Sequence, residues 1–116
     1  KTYNTETFKV VYRARTIENL NGRNYRTCFS TPMFWAYIMA TGDVYSCSAY
    51  LLAERFRLGN LNSETFRSIW EGENRRRNFD LVRRDLDIRD CRVNCRMDKA
   101  NRYLWGFEHQ PHINFV

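Results

Sequence analysis

The chain has 116 residues, 43% of them hydrophobic, and a formal net charge of +6. That length can bury one modest core, and the two prolines, five glycines and lack of low-complexity or solenoid sequence exclude a tail or a repeat array. No stretch reaches the length of a membrane span, and the N-terminus lacks the charged-then-apolar order of a secretion signal. We therefore expect a single domain over residues 1–116, without a membrane segment, in the reducing cytoplasm.

The first predicted elements are a strand and a loop. Residues 6–15 place apolar side chains partly at every second position, which predicts a strand; these side chains are Phe8, Val10 and Tyr12. Residues 16–27 are rich in asparagine, and they are predicted to form a loop that leads to Cys28.

A β-hairpin is predicted next. Residues 34–47 run from an apolar, aromatic stretch through the turn sequence Thr-Gly-Asp and back. Gly42 is expected to supply a positive φ in that turn. Because Cys28 precedes the outgoing strand and Cys47 closes the returning one, both thiols are expected at the open end of the hairpin.

A first helix is predicted after two short apolar pieces at residues 49–52 and 56–60. Asn62 or Ser63 is predicted to cap this helix, with Glu64 adding favourable charge in its first turn. Helical spacing places its core-facing side chains on one face; they are Phe66, Ile69 and Trp70.

Two more helices are predicted towards the C-terminus. One covers residues 73–84 with a buried side made of Phe79, Leu81 and Val82. The other runs from Asp98 to about Gly106 and is expected to bury Tyr103, Leu104 and Phe107. A hairpin followed by short helices predicts a small α+β fold.

The four cysteines are the main chemical signal, and they are Cys28, Cys47, Cys91 and Cys95. Three residues separate the last two, a loop short enough for both sulfurs to face one ion. In the cytosol such thiols more often bind metal than form disulfides, although a disulfide-stabilised interaction domain stays an alternative. Zinc and an iron–sulfur cluster both accept four thiolates, and spacing alone does not separate them.

An ordered set of motifs extends over residues 25–103. It consists of the hairpin Gly42-Asp43-Val44-Tyr45-Ser46-Cys47, then Gly59-Asn60 before a helix, Ile69-Trp70 late in that helix, and Cys91-Arg92-Val93-Asn94-Cys95-Arg96. This order resembles the SPASM/twitch auxiliary cluster domain of radical S-adenosylmethionine (radical SAM) enzymes. The resemblance gives a structural role to Gly42, Asp43, Gly59, Asn60 and Trp70.

The resemblance implies a domain that follows a partial TIM barrel and holds one or two auxiliary [4Fe-4S] clusters near the substrate. Full SPASM domains use seven cysteines for two clusters, whereas the four here fit the twitch type with one. The implied ligands are Cys28, Cys47, Cys91 and Cys95, and the implied partners are the radical SAM catalytic domain and a peptide or small-molecule substrate. The implied role is electron transfer or support of the substrate site, with no catalytic residue in this chain. The alternative is a structural four-cysteine zinc-binding interaction module, which could bind nucleic acid.

The motif of a radical SAM core is missing from the sequence. That core is recognised by a Cys-x-x-x-Cys-x-x-Cys loop, and although Cys91 and Cys95 supply the first spacing, the third position is Asp98. We therefore expect a fragment of a larger oxidoreductase or peptide-modifying enzyme, in which S-adenosylmethionine binds only the missing catalytic domain.

The basic residues have two interpretations. Arg75, Arg76, Arg77, Arg83 and Arg84 form the densest run, which would suit phosphate or nucleic acid. Aspartates interleave with these arginines as on a solvated helix, so nucleic acid is not expected as a partner. Arg92 and Arg96 flank the last two thiols, and we predict that they offset thiolate charge or donate to sulfur.

The remaining candidate residues are expected to be exposed or to pack in the core. Pro111 separates His109 from His112 and disrupts a regular helix, so exposed histidines are favoured over a metal pair. The acidic residues Asp85, Asp87 and Asp90 resemble an acid–base pair by count alone and are expected to be solvated. The aromatic residues around the first cysteine are expected to pack in the core and shield a cluster; they are Tyr25, Phe29, Phe34, Trp35 and Tyr37.

Overall fold

A computed structural model describes residues 3–11 and 22–109 of the chain. A three-stranded sheet, with β1 Tyr37–Ile38, β2 Asp43–Tyr45 and β3 Arg57–Asn60, precedes three helices, α1 Phe66–Glu71, α2 Glu73–Arg84 and α3 Asp98–His109. Short 3-10 turns cover Glu54–Phe56 and Ile88–Asp90. This arrangement confirms the predicted α+β class. Among the described residues, no helix is long and apolar enough to cross a membrane.

The sheet is antiparallel throughout, and β2 lies at its centre. The predicted hairpin is present, with Tyr37 opposite Tyr45. The third strand is an addition to the predicted elements: β3 pairs Gly59 with Val44, where the sequence predicts only a short apolar piece. Its sequence, Arg-Leu-Gly-Asn, has one large apolar side chain and no strand alternation, so pairing with β2 decides its structure.

A set of polar contacts fixes the hairpin turn, and Gly42 at its tip has the predicted positive φ, 84°. One carboxylate oxygen of Asp43 accepts from the Asn60 amide at 2.9 Å and from Arg57 Nε at 2.8 Å. The Thr41 hydroxyl donates to the other oxygen at 2.8 Å. We call this set the turn network; its members are Thr41, Gly42, Asp43, Arg57, Asn60 and Asn62. It explains why the motif needs an aspartate after the glycine and an asparagine at the end of β3.

Buried side chains form two clusters. The smaller one contains Val44, Leu58 and Ile69, with Trp70 packed against it. A Cβ at Gly59 would lie 2.8 Å from Ile69 Cγ1, so this glycine lets α1 approach β3 closely. The larger cluster surrounds the first two cysteines, and its members are Tyr25, Cys28, Tyr45, Cys47, Phe56, Val82 and Ile88.

The predicted N-terminal strand is wrong over residues 6–11, where the chain is irregular; residues 12–15 lie outside the described part. Local contacts use the backbone donors there, since Thr5 N donates to Phe8 O and Val10 N to the Asn4 side chain, both at 2.8 Å. Val11 is 75% exposed, so the segment buries no apolar face. The predicted loop is irregular over residues 22–27, and residues 16–21 are not described.

The first helix begins later than predicted. Its N-cap is Thr65, whose hydroxyl accepts from Ser68 N at 3.2 Å, and not Asn62 or Ser63. Glu64 precedes the helix, because Glu64 N and Ser63 N donate to Asn60 O in a turn after β3. The predicted apolar face is only partly buried: Ile69 is buried, but Phe66 is 43% exposed.

The second helix has its predicted bounds and buries Val82, with Phe79 and Leu81 half-buried. The buried face predicted for α3 is wrong for Tyr103 and Phe107, which are 72% and 61% exposed, whereas Leu104 is half-buried. The fully buried residues of α3 are polar, Asp98 and Asn101, since that face hydrogen-bonds to the loop carrying Cys28. Phe34, predicted in the core, is also exposed.

Candidate metal centre

All four thiols line one small cavity between the hairpin, the loop before it and the segment before α3. Cys28 and Cys47 are buried, Cys91 and Cys95 are half-buried, and all four are free. The other walls of this cavity are Arg23, Tyr25, Thr31, Ala49, Leu86, Ile88, Arg92 and Asn101. Within residues 3–11 and 22–109, no three His, Cys, Asp or Glu side chains are grouped tightly enough to hold one metal ion.

The first two thiols are positioned by the sheet and by α3. Asn101 Oδ1 accepts from the backbone N–H of Phe29 at 2.8 Å and of Ser30 at 3.1 Å, which anchors the loop just after Cys28. Cys47 follows β2, where Ser46 N donates to Phe56 O at 3.0 Å. The hairpin therefore places one thiol, while a helix far along the chain places the other.

The last two thiols lie between a 3-10 turn and α3. Cys91 N donates to Ile88 O at 3.2 Å, and Asp98 N donates to Cys95 O at 3.1 Å at the start of the helix. The guanidinium of Arg23 donates to the carbonyls of Ile88, Cys91 and Arg92, with 3.1 Å to Cys91. Arg23 thus holds the segment that carries Cys91. No sequence pattern indicates this role, because a single arginine in a polar loop belongs to no motif.

Several hydrogen bonds reach the sulfurs. Cys28 Sγ lies 3.0 Å from the Thr31 hydroxyl and 3.5 Å from the Asn101 amide nitrogen. Ala49 N donates to Cys47 Sγ at 3.4 Å, and the Tyr50 hydroxyl lies 3.6 Å from Cys91 Sγ. We call the buried polar group around the first sulfur the Cys28 cradle; its members are Ser30, Thr31 and Asn101.

These surroundings lower the pKa of one thiol and raise the pKa values of two others. Burial raises the pKa of Cys28, but hydrogen bonds from Thr31, Ser30 and Asn101 outweigh burial and leave it lowered. Burial raises the pKa of Cys47, and the neighbouring thiols add to the rise. Burial also raises the pKa of Cys91, although the Tyr50 hydrogen bond opposes it. Of Cys28, Cys47 and Cys91, Cys28 is therefore the one whose surroundings favour the thiolate form.

Arg92 and Arg96 were predicted to offset thiolate charge or to donate to sulfur. Neither is among the hydrogen-bond donors to sulfur described above. Arg92 lines the cavity, and its guanidinium donates to Ser48 Oγ at 2.6 Å. Arg96 is exposed. The sulfur contacts described above come instead from hydroxyl and amide groups, which sequence reasoning missed because Thr31, Tyr50 and Asn101 stand far from one another in the chain.

A buried charged group supports the cavity from α3. The Tyr25 hydroxyl donates to Asp98 Oδ1 at 2.9 Å, and Arg102 Nε donates to Asp98 Oδ2 at 2.7 Å. Burial raises the pKa of Tyr25, and the Asp98 carboxylate raises it further, so the phenol keeps its proton. These contacts fasten the loop before Cys28 to the helix after Cys95.

The other candidate sites are structural or exposed. His109 stacks on Trp105 with ring centroids 3.8 Å apart, and His112 lies outside the described residues. Asp87 caps the 3-10 turn through Arg89 N at 2.8 Å, while Asp85 and Asp90 are exposed.

One member of the arginine run has a packing role. The Arg75 guanidinium lies 3.9 Å from the centroid of the Trp70 ring, and its Nε donates to Pro32 O at 2.6 Å. Arg75 thereby connects α2 to the loop that follows Cys28. This contact gives Arg75, a member of the densest basic run, a structural role that does not involve nucleic acid.

Four free thiols line one cavity, and thiolates are a donor set that both zinc and iron–sulfur clusters accept. A family model described as an iron–sulfur cluster-binding domain, SPASM, matches residues 28–96, from the first cysteine to just past the last. The match covers more than half of the chain, which therefore belongs to the SPASM family of iron–sulfur cluster-binding domains. No curated protein and no solved structure matches the chain. This is the family that the ordered motifs of the sequence resemble.

Proposed function

We propose that this chain holds one [4Fe-4S] cluster through four thiolates, as the auxiliary-cluster domain of a radical SAM enzyme; the ligands are Cys28, Cys47, Cys91 and Cys95. One observation carries the proposal: the only four cysteines of a SPASM-family chain line a single cavity. The donor set fits, because thiolates are the usual ligands of such clusters.

When bound, the cluster supplies a redox centre whose potential depends on charge, hydrogen bonding and solvent exposure. The chain supplies the ligands, the buried side chains of Tyr25 and Ile88 beside them, and the hydrogen-bond donors. If all four thiolates ligate, each iron of one cubane is occupied. The proposed role is therefore electron transfer or support of the substrate site, and not direct binding of substrate at an open iron.

The proposal extends to partners and compartment. The partner is the catalytic domain of a radical SAM enzyme, which binds S-adenosylmethionine and acts on a peptide or small-molecule substrate. The compartment is the cytoplasm, because ligand thiols must stay reduced. The free state of all four cysteines supports this part of the proposal.

Metal analysis tests the proposal directly. The chain is purified without oxygen, reconstituted with iron and sulfide, and compared with a zinc-loaded sample. We expect about four irons and four sulfides per chain with a broad charge-transfer absorption. Tight stoichiometric zinc without a stable cluster would instead support a zinc-binding interaction module. The absence of free thiols after non-reducing purification would support a disulfide-stabilised domain.

A further inference from the structure

We propose that Thr31 and Asn101 are positioning residues that raise the reduction potential of the cluster by hydrogen-bonding to the Cys28 sulfur. This inference rests on the proposed function, since it requires a cluster on Cys28. It concerns a property that the ligand set alone does not determine: how strongly the protein stabilises the more negative, reduced state of the centre.

The orientation of the Asn101 amide is fixed by its oxygen. Asn101 Oδ1 accepts from Phe29 N at 2.8 Å, Ser30 N at 3.1 Å and Ser30 Oγ at 2.8 Å. Rotating the amide by half a turn would set its NH2 group against these donors. The nitrogen must therefore face the other way, where Cys28 Sγ lies 3.5 Å from it. The amide donates to the sulfur because the loop occupies its oxygen.

The hydroxyl protons of the cradle can be assigned in the same way. Ser30 has one hydroxyl proton, and Asn101 Oδ1 accepts it at 2.8 Å, so this hydroxyl is not a donor to sulfur. Thr31 Oγ1 lies 3.0 Å from Cys28 Sγ. A ligating thiolate carries no proton, so the Thr31 hydroxyl must be the donor in that contact. Cys28 thus receives two side-chain donors, one from each residue.

The sulfurs of Cys47 and Cys91 have fewer hydrogen-bond donors than the sulfur of Cys28. Cys47 accepts one backbone N–H at 3.4 Å, and Cys91 has the Tyr50 hydroxyl at 3.6 Å. The side chains around Cys28 are also buried, so their donors act in a low dielectric where such bonds are stronger. Donors aimed at a thiolate favour the state with more negative charge. Removing them should therefore lower the potential.

Two substitutions remove one donor each while keeping the shape. Thr31→Val replaces the hydroxyl by a methyl group, and Asn101→Asp keeps an oxygen for Phe29 N and Ser30 N while turning the second oxygen towards Cys28. We expect each to shift the oxidised-to-reduced ratio at fixed potential by roughly tenfold, which is about 59 mV for one electron. The shift should be larger for Asn101→Asp, because the new carboxylate also repels negative charge.

Two control variants isolate the hydroxyl. Thr31→Ser retains the donor and should keep the wild-type potential. Thr41→Val makes the same chemical change in the exposed turn network, where the hydroxyl bonds Asp43 Oδ2, and should also leave the potential unchanged.

The measurement is a redox titration of the anaerobically reconstituted chain, followed by absorption and electron paramagnetic resonance, with iron and sulfide counted for each variant. Lowered potentials in Thr31→Val and Asn101→Asp, with both controls unchanged, would support the proposal. An unchanged potential in Thr31→Val would overturn it. Loss of the cluster in both variants, with both controls loaded, would also overturn it, because the cradle would then be needed for assembly.

The same samples separate this inference from the proposed function. Failure of the wild-type chain to take up iron and sulfide would defeat the proposed function before any titration. A fully loaded wild-type chain whose variants titrate at the same potential would defeat only the role of Thr31 and Asn101.

Discussion

Two polar networks hold this small domain, and they differ in how far they reach along the chain and how deeply they are buried. In the turn network, the Asn60 amide bonds an Asp43 carboxylate 17 residues away, at a partly exposed end of the sheet. In the Cys28 cradle, the Asn101 amide reaches a sulfur 73 residues away, in a fully buried place. Water can replace a lost contact in the first network but not in the second. The same chemical change should therefore cost far more in the cradle.

The largest expected effect is that of Cys47→Ala. We expect this variant to lose stoichiometric metal and more than about 3 kcal/mol of stability, because binding free energy is folding free energy in small metal domains. Metal analysis and chemical unfolding of the loaded chain measure both quantities. Full metal content with an unchanged unfolding curve would remove Cys47 from the ligand set.

The neighbouring residue provides a matched control. In the described part of the chain, the buried Ser46 hydroxyl has no hydrogen-bond partner. Ser46→Ala therefore removes a buried polar group without breaking a bond, and we expect a stability change within about 0.5 kcal/mol or a small gain. A large loss in Ser46→Ala would mean that small volume changes near the cavity, and not metal ligation, explain the Cys47→Ala result.

The next largest effect comes from replacing an asparagine by alanine, a change that can be made in both networks. Asn101→Ala leaves Phe29 N and Ser30 N without their acceptor, and we expect a loss of about 3 kcal/mol. Asn62→Ala removes an exposed amide that donates to Thr41 O at 2.9 Å, and we expect a loss below about 1 kcal/mol. Urea unfolding measures both. Equal losses would show that burial does not distinguish the two networks.

A smaller effect is expected when alanine replaces glycine in the hairpin turn. Gly42 has a φ of 84°, so Gly42→Ala should cost about 1 kcal/mol or more. Gly106 lies inside α3, and a Cβ built there meets none of the described atoms within 4 Å. Gly106→Ala should therefore stabilise the chain by about 0.5–1 kcal/mol. The two thermal unfolding shifts should have opposite signs; a stabilising Gly42→Ala would refute the positive-φ argument.

The smallest effect concerns a contact that is entirely local. The Arg89 side chain and then its backbone N–H lower the pKa of Asp87 from 3.8 to about 2. Because the folded pKa is depressed, this stabilisation is fully present above pH 3.8 and is lost as the pH falls through about 2. A carboxyl carbon NMR titration should give the low midpoint. A midpoint near 3.8, or an unchanged value in Arg89→Ala, would show that Arg89 does not act on this carboxylate.

Local sequence determined the elements whose cause lies within a few residues. The Thr-Gly-Asp turn, the hairpin around it and the α2 helix over residues 73–84 follow from φ preferences and side-chain periodicity. The ordered motifs around the cysteines also indicated the family and the α+β class. Such signals survive in the sequence because neighbouring residues produce them without help from the rest of the chain.

Tertiary structure decided the remaining features. The third strand exists because β2 offers it a partner, and the N-terminal segment lacks strand structure where described because its donors bond locally. Periodicity predicted an apolar buried face for α3, yet its fully buried residues are polar, because they bond the Cys28 loop. The surroundings of the sulfurs depend on residues far apart in the chain. Their contacts form only once the chain has folded, so no local pattern could record them.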